Sequence, residues 1–262
     1  MSRLPVFPGR KRPLLFAHRG CSSLAPENTM AAFRKARELG APGLELDVHI
    51  TADGELVVAH DDGFARTAPE ADRGRHIEEL SLAEIRSIDI GSFFGPAFGG
   101  ERPPLLAEIL EEFCPALYVD IELKSRRTKG DPLPAAVAKL LKSLGKKIEG
   151  AAAASSFNPL CLLAFKRAAP GVPSAVIYSA SHEVPRLLRR GAGRFIAGCD
   201  YIKPGYAQAG AFARFSARLE GRPMIPWTVD EPALAERLVS LGCAGIITNR
   251  PQDMTALAVF QP

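Results

Sequence analysis

The chain has 262 residues, 47% of them apolar and 24% charged, with a formal net charge of +4. Those proportions exclude a disordered, collagen-like or coiled-coil protein, and the length allows one large domain with a substantial core. The basic excess is small and dispersed, which suits an anionic small molecule and falls short of a nucleic-acid-binding surface.

In chain order, short apolar runs predict strands at 14–18, 43–50, 116–124, 150–155, 174–178, 198–202, 224–229 and 244–248. Segments of helical period between them predict helices at 27–39, 105–113, 133–144, 159–168, 184–190, 207–219, 232–241 and 252–259. Gly40, Gly145 and Gly242 fall where helices should stop, and Pro159, Pro232 and Pro251 fall near helix starts. Strands that alternate with helices along one chain predict an α/β fold, closed as a (β/α)8 TIM barrel spanning residues 1–262. Residues 61–104 break the rhythm between the second strand and its helix. A connection that long predicts an insertion, a lid, a binding element or a small inserted subdomain, above the C-terminal mouth of the barrel.

Cys21, Cys114, Cys161, Cys199 and Cys243 are odd in number and contain no CxxC pair. This excludes a disulfide framework and a structural zinc site, and it predicts a reducing compartment. Pro5 and Pro8 interrupt the apolar core that a signal peptide would need, and no run approaches the roughly 20 apolar residues of a membrane span. The expectation is a cytoplasmic protein without a stable membrane anchor. Arg186, Arg189, Arg190 and Arg194 read as the solvated face of a helix and its exit.

Side chains alternate along a strand, so Glu45, Asp47 and His49 share one face of 43–50 while Leu44, Leu46, Val48 and Ile50 share the other. On 116–124 the matching polar set is Asp120, Glu122 and Lys124. The aliphatic residues must face the helices, which turns the carboxylates into the barrel. Several buried carboxylates together repel one another unless they bind protons, a cation or a lysine. Glu45, Asp47 and Glu122 are therefore candidate oxygen ligands of a hard divalent cation, with a carboxylate–lysine network through Lys124 or ordinary polar packing at the barrel bottom as the alternatives. The first strand ends in His18-Arg19-Gly20, and His60-Asp61 closes the apolar run after the second. Two histidines beside such a cluster can act as general acid and base, and Arg19 offers planar recognition of phosphate or carboxylate. A G-x-S-x-G elbow, a P-loop and a dinucleotide-binding glycine fingerprint are all absent from the sequence.

His18-Arg19-Gly20, Pro26-Glu27-Asn28-Thr29, Glu45-Leu46-Asp47 and His60-Asp61 come in an order and spacing that resemble the glycerophosphodiester phosphodiesterase family. Ile121-Glu122-Leu123-Lys124, Trp227-Thr228-Val229 and Thr248-Asn249-Arg250-Pro251 extend the resemblance along the chain. It implies a TIM barrel that hydrolyses sn-glycerol-3-phosphodiesters, such as glycerophosphocholine, to an alcohol and sn-glycerol 3-phosphate. It further implies His18 and His60 as the acid–base pair, and Glu45, Asp47 and Glu122 as ligands of Mg²⁺ or Ca²⁺. Arg19 and Lys124 would neutralise the phosphate, and the route would pass through a cyclic glycerophosphate. Trp227 either covers the glycerol carbons or packs in the barrel core. Two departures, Pro104-Leu105-Leu106 and the Ala68–Gly74 stretch, lie at the insertion. The same parts would also serve a lysophospholipase D or a cyclising phospholipase, for which Phe93, Phe94 and Phe98 offer either an apolar rim or a small aromatic core. A non-catalytic binding module is the alternative outside enzymes.

Overall fold

A computed structural model of the chain describes residues 3–182 and 184–261. Its strands are β1 (Leu14–His18), β2 (Gly43–Ile50), β3 (Leu56–Val58), β4 (Tyr118–Leu123), β5 (Ala152–Ser156), β6 (Ser174–Tyr178), β7 (Tyr201–Pro204) and β8 (Gly245–Thr248). All except β3 run parallel, in the spatial order β7-β6-β5-β4-β2-β1-β8, while β3 pairs antiparallel with the outer end of β2. Residues 224–229 close the ring. On one side Ile225 N–H donates to Ile202 O and Trp227 N–H to Pro204 O, both at 3.0 Å. On the other, Val229 N–H donates to Ile247 O at 2.9 Å and Ala244 N–H to Met224 O at 2.8 Å. Pro223 and Pro226 have no N–H to give, so the predicted seventh strand is a set of isolated bridges rather than a continuous ladder.

The helices are α1 (Met30–Glu38), α2 (Leu82–Ile85), α3 (Leu106–Phe113), α4 (Leu133–Leu144), α5 (Pro159–Ala168), α6 (Gly193–Ala197), α7 (Ala211–Leu219), α8 (Pro232–Ser240) and α9 (Pro251–Met254). The outward strand residues Leu44, Leu46, Val48, Val119 and Ile121 pack against Phe33 of α1 and Ile109 and Phe113 of α3. The inward residues Phe16, Tyr118, Tyr201 and Ile225 fill the barrel floor together with Phe7. Gly43 is required there, because a Cβ would lie 1.9 Å from the Tyr118 ring. With the floor apolar and filled, the polar inward residues are left to the upper layers.

Besides the seventh strand, further segments differ from their prediction, among them the helices expected at 207–219 and 252–259, which span Ala211–Leu219 and Pro251–Met254. Residues 184–190 form turns rather than a helix, and the helix is α6, beyond Gly191. Arg189 holds the turn by donating to Val184 O at 2.8 Å and His182 O at 3.1 Å, and Gly191 adopts φ +76° against the Tyr178 ring. The predicted strand 198–202 is displaced to Tyr201–Pro204, because Gly198 caps α6 in a left-handed conformation. Asp200 is spent accepting from Leu4 N–H (2.9 Å), Ser174 N–H (3.0 Å) and Lys166 Nζ (3.2 Å). Helix α1 starts three residues later than expected, where the Thr29 hydroxyl accepts from Ala32 N–H at 3.2 Å.

The long connection contains α2 and carries its own apolar cluster of Val57, Phe64, Ile77, Leu80, Ile85 and Ile88. Phe93, Phe94 and Phe98 are not part of that cluster. They stack edge-on at 6.3 and 5.4 Å on a loop tied at its base by Asp89, and Phe93 and Phe94 are exposed.

Candidate active site

The chain leaves β1 through a left-handed turn, with φ +57° at Arg19 and +82° at Gly20. A Cβ at Gly20 would come 2.6 Å from the Ala32 backbone, so no other residue fits. Arg19 N–H donates to Glu45 O at 2.8 Å and Asn28 N–H donates to Arg19 O at 2.9 Å. This locks the His18-Arg19-Gly20 turn against β2 and against the Pro26–Thr29 turn. The His18 and Arg19 side chains then meet different acids: Glu45 near His18, and Asp47 and Glu27 beside Arg19.

Asp47 stands directly opposite Glu122 in the β2–β4 register, and Glu45 lies two residues below Asp47. One carboxylate oxygen from each of Glu45, Asp47 and Glu122 lies within 4.8 Å of the others. Lys124 Nζ lies 2.8 Å from Glu122 Oε1 and 3.1 Å from Asp47 Oδ1, and Arg19 Nε lies 3.3 Å from Asp47 Oδ2. Asn28 Nδ2 donates to that same oxygen at 2.8 Å. Burial alone would raise the Asp47 pKa, but Lys124 and Arg19 hold it well below the usual carboxylate range.

Glu45 is less well compensated. Lys203 Nζ approaches its Oε1 at 3.3 Å, whereas its Oε2 is buried with no hydrogen-bond partner. Burial, reinforced by Asp47 and Glu122, outweighs Lys203 and pushes the Glu45 pKa up to about 8. An orphaned oxygen among three convergent carboxylates is the environment that a hard divalent cation would relieve, so the donor set fits one.

Two histidines flank the cluster, each fixed through Nδ1. His18 Nδ1 lies 2.6 Å from Asn249 Oδ1. Asp230 only accepts: it takes Asn249 Nδ2–H and Asn249 N–H, each at 2.8 Å, and the Thr248 hydroxyl at 3.0 Å. Asn249 must therefore turn its oxygen to His18, so Nδ1 carries the proton. Nε2 presents a lone pair 3.8 Å from Glu45 Oε2. Burial, then Arg19, lowers the His18 pKa to about 4, so the ring is neutral at physiological pH. His60 donates from Nδ1 to Asp61 Oδ1 at 2.7 Å. Arg66 Nε holds Asp61 at 3.0 Å and forks onto Glu27 at 2.9 and 2.6 Å, and Glu27 bridges to Arg19 at 3.0 Å. A chain of ion pairs thus joins His60 to Arg19.

The glycerophosphoryl diester phosphodiesterase family model matches residues 18–253. The chain belongs to this family. It is 36% identical over 251 residues to a glycerophosphodiester phosphodiesterase of Caldanaerobacter subterraneus, covering 94% of this chain and 98% of the relative. A Bacillus subtilis glycerophosphodiester phosphodiesterase is 30% identical, with coverage of 92% and 84%. Among solved structures, an Oleispira antarctica phosphodiesterase in complex with the product sn-glycerol-3-phosphate superposes with a TM-score of 0.82 at 26% identity, covering 94% of this chain and 96% of that one. A glycerophosphodiester phosphodiesterase from Agrobacterium tumefaciens gives 0.77 at 26% identity, with coverage of 93% and 99%. The enzyme therefore shares both the barrel and its curled parallel sheet with these phosphodiesterases.

Lys203, Asn249, Glu27 and Arg66, at the enzyme's mouth, carry no role expected from sequence. Lys203 is buried and bridges Glu45 to Asp120 (3.0 Å) and to the Ser155 hydroxyl (2.9 Å). The predicted strand stopped one residue short of it. Asn249 lies two residues beyond Ile247 on the inward face, so strand parity was the available signal. Glu27 and Arg66 belong to loops that have no periodicity. Trp227 stands edge-on to Phe157 at 5.6 Å and donates Nε1–H to Lys203 O at 3.0 Å, half-buried above the floor. His49 lies apart from the carboxylate cluster, with Nε2 3.3 Å from His60 O. Cys21 is fully buried, its thiol beside Gln252 and its pKa raised by burial.

Among the described residues no helix is long and apolar enough to cross a membrane.

Proposed function

We propose that the enzyme hydrolyses sn-glycerol-3-phosphodiesters, such as glycerophosphocholine and glycerophosphoethanolamine, to an alcohol and sn-glycerol 3-phosphate. The observation that carries this reading is the mouth itself: two Nδ1-anchored histidines either side of three convergent carboxylates, with Arg19 and Lys124 between. The product named for the Oleispira relative supports the glycerol 3-phosphate half of the substrate. The domain reading is one barrel over residues 1–262, with 61–104 as an insertion at the mouth.

Glu45, Asp47 and Glu122 would hold Mg²⁺ or Ca²⁺, and the bound ion would supply Lewis-acid polarisation of the phosphoryl oxygens. Arg19 and Lys124 bind the phosphate and offset its charge. One histidine takes the proton from a glycerol hydroxyl as that oxygen bonds to phosphorus. The other gives a proton to the departing alcohol oxygen as its P–O bond breaks. The product of this step is a cyclic glycerophosphate. Water then opens the ring with the proton transfers reversed, which returns both histidines to their starting state. Tethering the hydroxyl to the phosphate makes the first step intramolecular. Trp227 provides an apolar wall for the glycerol carbons. The five cysteines are unpaired and buried, which supports a reducing, cytoplasmic location.

A second reading, a lysophospholipase D or cyclising phospholipase, gains from the exposure of Phe93 and Phe94 on the inserted segment. Comparing release of glycerol 3-phosphate from glycerophosphocholine and glycerophosphoethanolamine with turnover of lysophosphatidylcholine separates the two. The soluble diesters should be the better substrates, and turnover of the lysolipid alone would move the function to the second reading. His18→Ala and His60→Ala should each abolish turnover while leaving the thermal transition in place. Substantial activity in either folded variant would remove that residue from the acid–base pair.

A further inference from the structure

The flank of the barrel formed by α6 and α7 carries large exposed apolar side chains, of which Phe195 is covered on its ring face by Arg194 (4.4 Å) and Arg222 (5.6 Å). Phe212, Phe215 and Leu219 on α7 are 85%, 61% and 72% exposed, and their spacing of three and four residues aligns them in one stripe. On α6, Phe195 is 64% and Ile196 47% exposed, and Leu187 on the preceding turn is 86% exposed.

These form a connected surface. Arg194 joins the helices by pairing with Glu220 at 3.0 Å and reaching Ser216 Oγ at 3.4 Å. Gln208 Nε2, just before α7, donates to Arg189 O at 2.6 Å and ties the Leu187 turn to the same flank. The upper end of the flank is the mouth, because the connections after β6 and β7 leave the C-terminal ends of the strands. Tyr206 there is half exposed and donates N–H to Trp227 O at 2.7 Å.

The charge of this flank is one-sided. Between positions 184 and 222 the sequence has seven arginines against Asp200 and Glu220, and the one lysine there, Lys203, is buried in the barrel. Asp200 is buried and paired with Lys166, and Glu220 is held by Arg194 and Arg222. Arg186, Arg190 and Arg218 are exposed and, among the described residues, have no carboxylate partner.

We propose that this flank docks the enzyme reversibly on an anionic lipid surface, with Phe212, Phe215, Leu219 and Leu187 entering the interface and Arg186, Arg190 and Arg218 meeting lipid phosphates. Exposed apolar side chains and exposed arginines on the same segments suit the boundary between headgroups and acyl chains, where both contributions are favourable. A second copy of the chain is the poorer occupant. An isologous pairing would set this arginine-rich face against itself. The docking does not depend on which phosphodiester is cleaved, since none of these residues belongs to the catalytic mouth.

The test is co-sedimentation of the full chain with vesicles of phosphatidylglycerol mixed equally with phosphatidylcholine, and with phosphatidylcholine vesicles alone. Binding should require phosphatidylglycerol and weaken with added salt. Phe212→Ser combined with Phe215→Ser, and separately Arg186→Glu combined with Arg218→Glu, should each reduce it by about tenfold or more. Hydrolysis of soluble glycerophosphocholine should be unchanged in both variants, which separates this proposal from the catalytic one. Absence of vesicle binding, binding indifferent to both variants, or a dimer in sedimentation velocity that Phe212→Ser with Phe215→Ser dissolves would each overturn it.

Discussion

Replacing Asp230 by Asn tests whether the proton position on His18 is set from outside the ring. Asp230 offers only acceptors, and three donors converge on it: Thr248 Oγ1 and Asn249 N–H on one oxygen, Asn249 Nδ2 on the other. In Asp230→Asn the new amide keeps its oxygen towards the first two donors and turns its NH₂ to Asn249. The Asn249 amide must then flip, which presents NH₂ instead of oxygen to His18 Nδ1. The ring can answer only by moving its proton to Nε2, and the lone pair facing the mouth is lost. A histidine held in the wrong tautomer costs about 10²–10⁴ in turnover, or about 3–5 kcal/mol of transition-state stabilisation. The assay is steady-state hydrolysis of glycerophosphocholine, with nitrogen-15 chemical shifts of the His18 ring as the second readout. The expected result is a fall in kcat with KM little changed, an unchanged requirement for divalent ions, and ring shifts that exchange the Nδ1–H pattern for Nε2–H. Wild-type kcat, or a lowered kcat with an unaltered tautomer, would refute the reasoning.

Four further outcomes follow from the carboxylate cluster. Glu45→Gln should raise the divalent-ion concentration needed for half-maximal activity by at least about tenfold, and an unchanged titration curve would count against a ligand role. Because Glu45 is protonated below about pH 8, a cation must displace that proton. Apparent cation affinity should therefore climb by about tenfold per pH unit towards pH 8 and level off above it, and calorimetry showing a flat profile would contradict this. The same raised pKa makes the folded, cation-free protein bind a proton that the unfolded chain has released. Its stability should therefore decline from about pH 4.5 to pH 8 and recover when Mg²⁺ or Ca²⁺ is added. Lys203→Met leaves Asp120 buried without its cation, a loss of about 3–5 kcal/mol, and denaturation at the wild-type midpoint would show that the lysine is dispensable.

Strand parity made much of the mouth readable before any coordinates. Once the leucines of β2 and β4 must face helices, Glu45, Asp47 and Glu122 can only point inward, and they converge to within 4.8 Å. His18 and Arg19 were equally legible, since a strand's last residues face the mouth. Other parts of the site escaped because their signals are tertiary. Lys203 sits on a strand whose start was misjudged, as Gly198 and Asp200 delay entry into β7 by satisfying other partners. Asp230 acts on His18 only through Asn249, a contact spanning 231 residues of sequence. The turn at 184–190 has the apolar spacing of a helix, yet Leu187 faces solvent and Arg189 satisfies the backbone carbonyls instead. Periodicity reports burial only where there is a core to bury against.

The proposed site of Glu45, Asp47 and Glu122 would make phosphodiester hydrolysis at this mouth depend on a divalent cation. Its most direct test is release of sn-glycerol 3-phosphate from glycerophosphocholine by EDTA-treated, dialysed enzyme, with and without added Mg²⁺ or Ca²⁺. No release is expected from the stripped enzyme, with recovery on adding one of the two ions. Full turnover by the stripped enzyme would contradict the cation site, and silence with either ion would contradict the reaction itself.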